Sequence, residues 1–185
     1  MNNENLSQLM KEKAEAVQAF VTSVKTFDDV LSYTVRTTKR QGGKTLAAPC
    51  LDPVSKKALI EMCNSEGLIL IDPLFGNTYG KIDTALTHAD LGVAETGTLI
   101  INSRSEDLRR ATMLSEIHVA YLDESQIRPD MDSVKAEIDK ILKTPPAYLA
   151  FITGASRTAD IERVLTIGVH GPLELHILIM ENLLS

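Results

Sequence analysis

A layered α/β fold with a substantially parallel sheet is the class this sequence predicts, and two observations predict it. Four short apolar runs rich in β-branched residues, TLIIN near residue 98, IHVAYL near 117, YLAFIT near 148 and LHILIM near 175, have the length and composition of buried strands. Helical windows at 107–114 and 131–143 fall between several of them, and alternating strands and helices are the pattern of crossover-connected parallel pairing.

Along the chain, Leu6, Leu9, Met10, Val17, Phe20, Val21 and Val24 recur at three- and four-residue steps, which predicts an amphipathic helix over an N-terminal arm, residues 1–27. Its apolar stripe must dock on the body of the chain, residues 28–185, or on a partner. The stretch from Asp28 to Cys50 passes from a β-leaning run into polar, Gly-containing sequence closed by Pro49, and is expected to be irregular or mobile. Asp52 before Pro53, with Gly67 suited to a helix end, predicts a helix over 53–65, and Leu68–Ile71 then follows as a buried strand. Pro129 and Pro145-Pro146 sit at helix boundaries, and no internal repeat or low-complexity tract divides the body.

Composition narrows the function classes. With 185 residues, 44% hydrophobic and 24% charged, the chain has enough apolar surface for one packed core and too little net charge to be disordered. A net charge of −6 argues against a general nucleic-acid binder, which needs clustered Lys and Arg to neutralise phosphates, but leaves room for a local basic pocket. Cys50 and Cys63 form no C-x-x-C element, so neither a zinc ribbon nor a four-thiolate iron–sulfur cluster is expected from this chain alone. The N-terminus lacks the basic and apolar regions of a signal peptide and no window reaches the length of a membrane span, which makes the cytoplasm the expected compartment.

Three segments have the residue types for chemistry. In ADLGVAETGTLIINS, residues 89–103, Glu95 sits among Thr96, Gly97 and Thr98 before an apolar strand. Such a turn offers a carboxylate beside hydroxyls and free backbone N–H groups, for general base work or an anion cradle; equally, Gly97 serves the backbone and Glu95 is solvated. In ITGASRTADIERV, residues 152–164, Thr153 and Gly154 lead a strand into a small-residue turn and an expected helix, with Ser156 and Thr158 as N-cap candidates. Arg157 there can present a planar fork to a carboxylate or phosphate, or simply pair with Asp160 or Glu162. In GVHGPLELH, residues 168–176, His170 stands before Gly171 and Pro172 in a tight turn at a strand entrance.

Several other features are weaker. Arg104, Arg109 and Arg110 could bring positive charge to a carboxylate-bearing ligand, but interleaved Glu106 and Asp107 favour a solvated helix surface. Glu174, His176 and Leu178 share one strand face, with Leu175, Ile177 and Ile179 on the other; His170, Glu174 and His176 match no strong metal-ligand spacing, and no metal is expected. His118 and His88 read as structural histidines. GNTYGK at 76–81 and the GGKT ending at Thr45 both miss the P-loop pattern, and no G-x-G-x-x-G follows a strand.

Taken together, ADLGVAETGTLIIN, ITGASRTADIE and GVHGPLELHILI resemble, in order and approximate spacing over residues 66–182, the best-marked blocks of the LUD-domain, lactate-utilisation protein C family. One departure is Ala155, where many relatives carry proline. The resemblance implies a NagB/RpiA/CoA-transferase-like three-layer sandwich with a mostly parallel sheet. It also implies a role in oxidising lactate to pyruvate together with iron–sulfur subunits, whose clusters would supply the redox centres this chain lacks. The motif positions it marks are Glu95, Thr96, Gly97, Thr98, Thr153, Gly154, Ser156, Arg157, Thr158, His170 and Gly171. Glu95 and His170 are the catalytic candidates; the others, with Arg104, are candidates for holding a small carboxylate or phosphate. The alternatives are an independent small-molecule enzyme of this fold, with Glu95 as base or nucleophile and Arg157 on an anionic substrate, and a metabolite-binding protein without turnover.

Overall fold

The computed structural model describes residues 3–49, 51–71, 82–144, 148–158, 166–167 and 171–181. Six parallel strands form the central sheet in the order β1 (Phe20–Val24), β12 (Glu174–Met180), β7 (Ser115–Asp123), β4 (Ile82–His88), β2 (Thr45–Ala47) and β3 (Ile69–Ile71). A second sheet has the order β8 (Ile127–Arg128), β5 (Leu91–Val93), β6 (Thr98–Asn102) and β9 (Leu149–Thr153), with β6 antiparallel to both neighbours. The short strands β10 (Arg157–Thr158) and β11 (Thr166–Ile167) pair antiparallel. Helices α1 (Asn3–Ala16), α2 (Phe27–Arg40), α3 (Pro53–Glu66), α4 (Glu106–Leu114) and α5 (Lys135–Leu142) complete the elements.

The layers follow from side-chain parity. Along β7 and β12, alternate residues face opposite sides, and both sides are apolar because helices or strands cover each. One face carries Ala120, Leu122, Leu175, Ile177 and Ile179 into a core shared with Leu6, Met10 and Ala14 of α1 and Leu99 and Ile101 of β6. The opposite face carries Ile117, Val119 and Leu178 into a core with Val30, Leu31 and Val35 of α2 and Leu59 and Cys63 of α3. The expected α/β sandwich around a parallel sheet is therefore the architecture, and the stripe of α1 docks on this same chain.

Helix α3 begins and ends as its sequence predicts: the Asp52 side chain accepts from the Val54 and Ser55 amides, Pro53 opens the first turn, and Gly67 closes the helix at φ 71°. Three expectations need correction. The stripe read as one helix to Val24 stops at Ala16; Gln18 turns the chain at φ 64°, and Phe20–Val24 becomes a strand paired in parallel with β12. Helical spacing at Phe20, Val21 and Val24 coincides there with β-favouring FVTSV, and the sheet edge decides between them.

The stretch expected to be irregular contains α2 and β2. Thr26 and Asp29 form a reciprocal capping box that starts the helix. Its buried face includes Thr34 and Thr38, whose hydroxyls donate to the carbonyls of Val30 and Thr34 at 2.8 Å each, so a polar-looking sequence packs as a satisfied interior surface. Arg157–Thr158, the start of the segment expected to enter a helix, is a short strand paired with β11, and 159–165, where the rest of that expected helix falls, lie outside the described residues. The runs TLIIN and YLAFIT, finally, belong to the second sheet rather than the parallel one, while IDTALTH supplies a central strand that periodicity alone passed over.

Close approach fixes α1 against the second sheet. A Cβ on Gly97 would lie 2.4 Å from the Ala14 nitrogen, and one on Gly154 would lie 2.4 Å from the Val17 carbonyl oxygen; both glycines have positive φ. The end of α1 thus rests on backbone that no side chain can share.

Two histidines interrupt the apolar sheet interior, both wholly buried. Burial pushes the His118 imidazole down from 6.5 to about 4 and also lowers that of His176. Protonation therefore favours the unfolded chain: the stabilisation is complete above pH about 6.5 and is lost as pH falls through about 6.5 to about 4.

Three outcomes test this account. Thr26→Ala should cost about 1 kcal/mol in urea unfolding by removing the exposed cap. Gly154→Ala should cost clearly more than Gly42→Ala, because both positions have positive φ but a Cβ at Gly42 meets nothing within 4 Å; equal losses would remove the close-contact argument. Stability measured between pH 7 and 4.5 should decline, and His118→Gln should flatten that decline.

Candidate functional site

The second and third motif blocks meet at one place. A cleft of about 730 Å³ is lined by the end of β9 and the turn after it, Thr153, Gly154, Ala155, Ser156 and Arg157, and by Gly171, Pro172 and Leu173 before β12. The Ser156 amide donates to the Pro172 carbonyl at 2.8 Å, and a Cβ on Gly171 would come within 3.0 Å of Ser156 Oγ, so the two turns are laced together. The facing wall is the α4–β7 junction, Thr112 to Glu116 and His118, where helix passes into strand without a loop. Half-exposed Met113, Leu114, Phe151 and Leu173 give this cleft an apolar surround.

The first block reaches the cleft only through hydroxyls. Register pairs Thr98 with Thr153, and their Oγ1 atoms lie 2.7 Å apart; Thr96 Oγ1 lies 2.7 Å from Thr98 Oγ1. A chain of three threonines therefore runs from the turn after β5 to the cleft wall. Glu95 is exposed on that turn, its amide donating to the Pro129 carbonyl at 3.0 Å, and it is not among the cleft-lining residues. Gly97 is taken up by the approach of α1.

Arg157 sits exposed at the cleft, with Nη2 donating to the Val17 carbonyl at 3.3 Å and to Gln18 Oε1. It thereby joins the cleft to the turn that ends α1. Arg104 lies elsewhere, donating through Nε to Asn102 Oδ1 at 3.3 Å beside a smaller depression of about 300 Å³ that also includes Asp90 and Lys140. Arg109 and Arg110 pair with Glu106, and the Arg109 hydrogen bond, followed by the surrounding charges, holds the Glu106 carboxyl below its usual range. Thr158 belongs to β10, and His170 lies outside the described residues.

Glu174 and His176 are used on the opposite face of the sheet. His176 Nδ1 lies 2.8 Å from the Tyr33 hydroxyl and Nε2 lies 2.8 Å from Glu174, which also accepts from Gln41 at 3.0 Å. These contacts tie β12 to α2. Among the described residues, no three His, Cys, Asp or Glu side chains gather as metal ligands, and no helix is long and apolar enough to cross a membrane.

The residue that sequence reasoning set aside is His118. It is wholly buried at the cleft wall, with Nε2 2.7 Å from Thr87 Oγ1 on the neighbouring strand. A histidine inside an apolar run of a sheet covered on both faces is itself a signal, because its two ring nitrogens require partners that such a sheet does not ordinarily supply.

Comparison with known proteins places the chain. It is 33% identical to a lactate utilization protein C of Geobacillus kaustophilus over 97 residues, 51% of this chain and 40% of that protein. It is 32% identical to a lactate utilization protein C of Deinococcus radiodurans over 110 residues, 58% of this chain and 51% of that protein. The chain thus spans about half the length of the curated relatives it matches. A crystal structure of a DUF162 family protein from Deinococcus radiodurans superposes with a TM-score of 0.65 at 16% identity, covering 97% of this chain and 99% of that one, and shares the fold. The sequence model of the LUD domain matches residues 7–180, from within α1 to the end of β12, and the chain belongs to the LUD domain family.

Proposed function

We propose that this chain is a subunit of a cytoplasmic lactate-utilisation assembly that oxidises lactate to pyruvate with iron–sulfur partner proteins. The observation that carries the reading is family membership across residues 7–180 together with relatives named for lactate utilization. Conversion of lactate to pyruvate releases two electrons and two protons, and the electrons need an acceptor. Two cysteines far apart in sequence do not make a four-thiolate cluster site, so the reading assigns iron–sulfur redox centres to partners. The cleft supports a binding or positioning role for this chain, with Arg157 available to a small carboxylate and Thr153 and Ser156 beside it.

A second reading, favoured by the same cleft, is a metabolite-binding protein or an independent small-molecule enzyme of this fold. An enzyme using Glu95 as base would have to bring substrate to the exposed turn after β5, across the threonine chain from the cleft.

The readings separate by affinity purification of the tagged chain from lactate-grown native cells under mild, low-salt conditions, against an unrelated tagged control. The subunit reading expects cysteine-rich iron–sulfur proteins in the eluate, with lactate-dependent reduction of an added dye. Absence of such partners, combined with unimpaired lactate growth of a deletion strain, would overturn it. Turnover by the isolated chain that disappears in Glu95→Gln would instead establish the independent enzyme.

A further inference from the structure

The cleft wall contains polar groups left unpaired by the protein. His118 Nδ1 and Ser115 Oγ are buried without a hydrogen-bond partner among the described residues, and both residues line the cleft. In a sheet interior such groups lose hydration without compensation, so a ligand able to hydrogen-bond them has a ready partner. Arg157 offers a second point of contact: Nη2 is engaged with Val17 and Gln18, while Nε and Nη1 have no partner among the described residues.

We propose that this cleft binds a small 2-hydroxycarboxylate, its hydroxyl hydrogen-bonded to His118 Nδ1 and its carboxylate held by the open side of the Arg157 guanidinium. The inference rests on the lactate reading above and assigns the recognition residues within it. The imidazole, neutral because burial pushes it down to about 4, presents a single donor or acceptor rather than a charge, which suits a hydroxyl better than a carboxylate. Charge recognition falls to Arg157, a permanent cation with planar geometry. Ala150, Ile152 and Leu175, which also line the cleft, give it apolar surface for a short alkyl group.

Thr87 makes the arrangement adaptable. Its hydroxyl can donate to or accept from His118 Nε2, so either imidazole tautomer is satisfied on that side. With Nε2 protonated, Nδ1 accepts from a ligand hydroxyl; with Nδ1 protonated, it donates to a ketone oxygen. The same contact therefore accommodates a 2-hydroxycarboxylate and the corresponding 2-oxocarboxylate without charging the histidine.

Two substitutions separate recognition from structural support. Gln at position 118 carries its amide near the place of Nε2, keeping a partner for Thr87 and losing the Nδ1 contact, whereas Asn does the reverse. Calorimetric titration of the isolated chain and of the purified assembly would use L-lactate, D-lactate and pyruvate, with propionate as the analogue lacking the oxygen on carbon 2. The expected result is that one lactate enantiomer binds at least about tenfold more tightly than propionate. His118→Gln should abolish that preference, His118→Asn should retain it, and Arg157→Gln should weaken lactate and propionate alike.

In ¹⁵N-histidine spectra of the wild-type protein, the His118 Nδ1 resonance should move on adding the bound lactate and stay in place with propionate, a change that purely structural packing would not produce. Folded His118→Gln that still prefers lactate over propionate would overturn the proposal. So would the absence of lactate and pyruvate binding by both chain and assembly. Recovery of iron–sulfur partners without such binding overturns this site alone; lactate binding without partners overturns the assembly alone.

Discussion

The register between β7 and β12 governs the rest of the molecule. It sets Leu175 opposite His118, Ile177 opposite Ala120 and Ile179 opposite Leu122, and runs in parallel through seven consecutive pairs. Parity then sends His118 toward the cleft and His176 toward α2. A slip of one residue in either strand would move its whole set of side chains to the other face, so two apolar cores and two polar arrangements depend on one alignment. Covering both faces makes that alignment hard to change, since neither side tolerates the other's residues.

The second sheet turns this framework into a site. Antiparallel pairing of β6 with β9 brings Thr98 to Thr153 although 55 residues separate them in sequence. It also places Gly97 and Gly154 side by side beneath the end of α1, where two missing side chains make room for one helix terminus. Motif residues that a linear reading groups as ligand-binding candidates are thus divided in space. Gly97 and Gly154 provide packing clearance, Thr96, Thr98 and Thr153 form a hydroxyl chain, and Ser156, Arg157 and Gly171 border open volume.

Much of the fold was legible because its signals are local. Asp52, Pro53 and Gly67 marked α3 by cap chemistry, and the apolar runs at 117 and 175 marked two of the buried central strands. What escaped depended on distant partners. Phe20–Val24 is a strand because β12 supplies an edge to pair with, and Thr34 and Thr38 count as interior because their hydroxyls return to the helix backbone. YLAFIT was recognisable as a strand, but nothing in its own letters says which sheet it joins. The family resemblance pointed to all three blocks as one ligand site; the cleft is bordered by the second and third, with the first joined through the threonine hydroxyls, and the place of His118 required knowing that the cleft opens on its side of β7.

One consequence of pairing β1 with β12 concerns how the chain acquires its structure. Phe20 finds its place beside His176, across most of the sequence, and α1 seats against both Gly97 and Gly154. Closing such distant contacts carries a large loop entropy and belongs to the slow-folding, high-contact-order class. During synthesis β1 emerges long before β12, the one strand it pairs with in the central sheet, so its backbone stays unpaired until β12 arrives. The β1 edge of the central sheet is therefore completed late in folding, so a half-made chain lacks it.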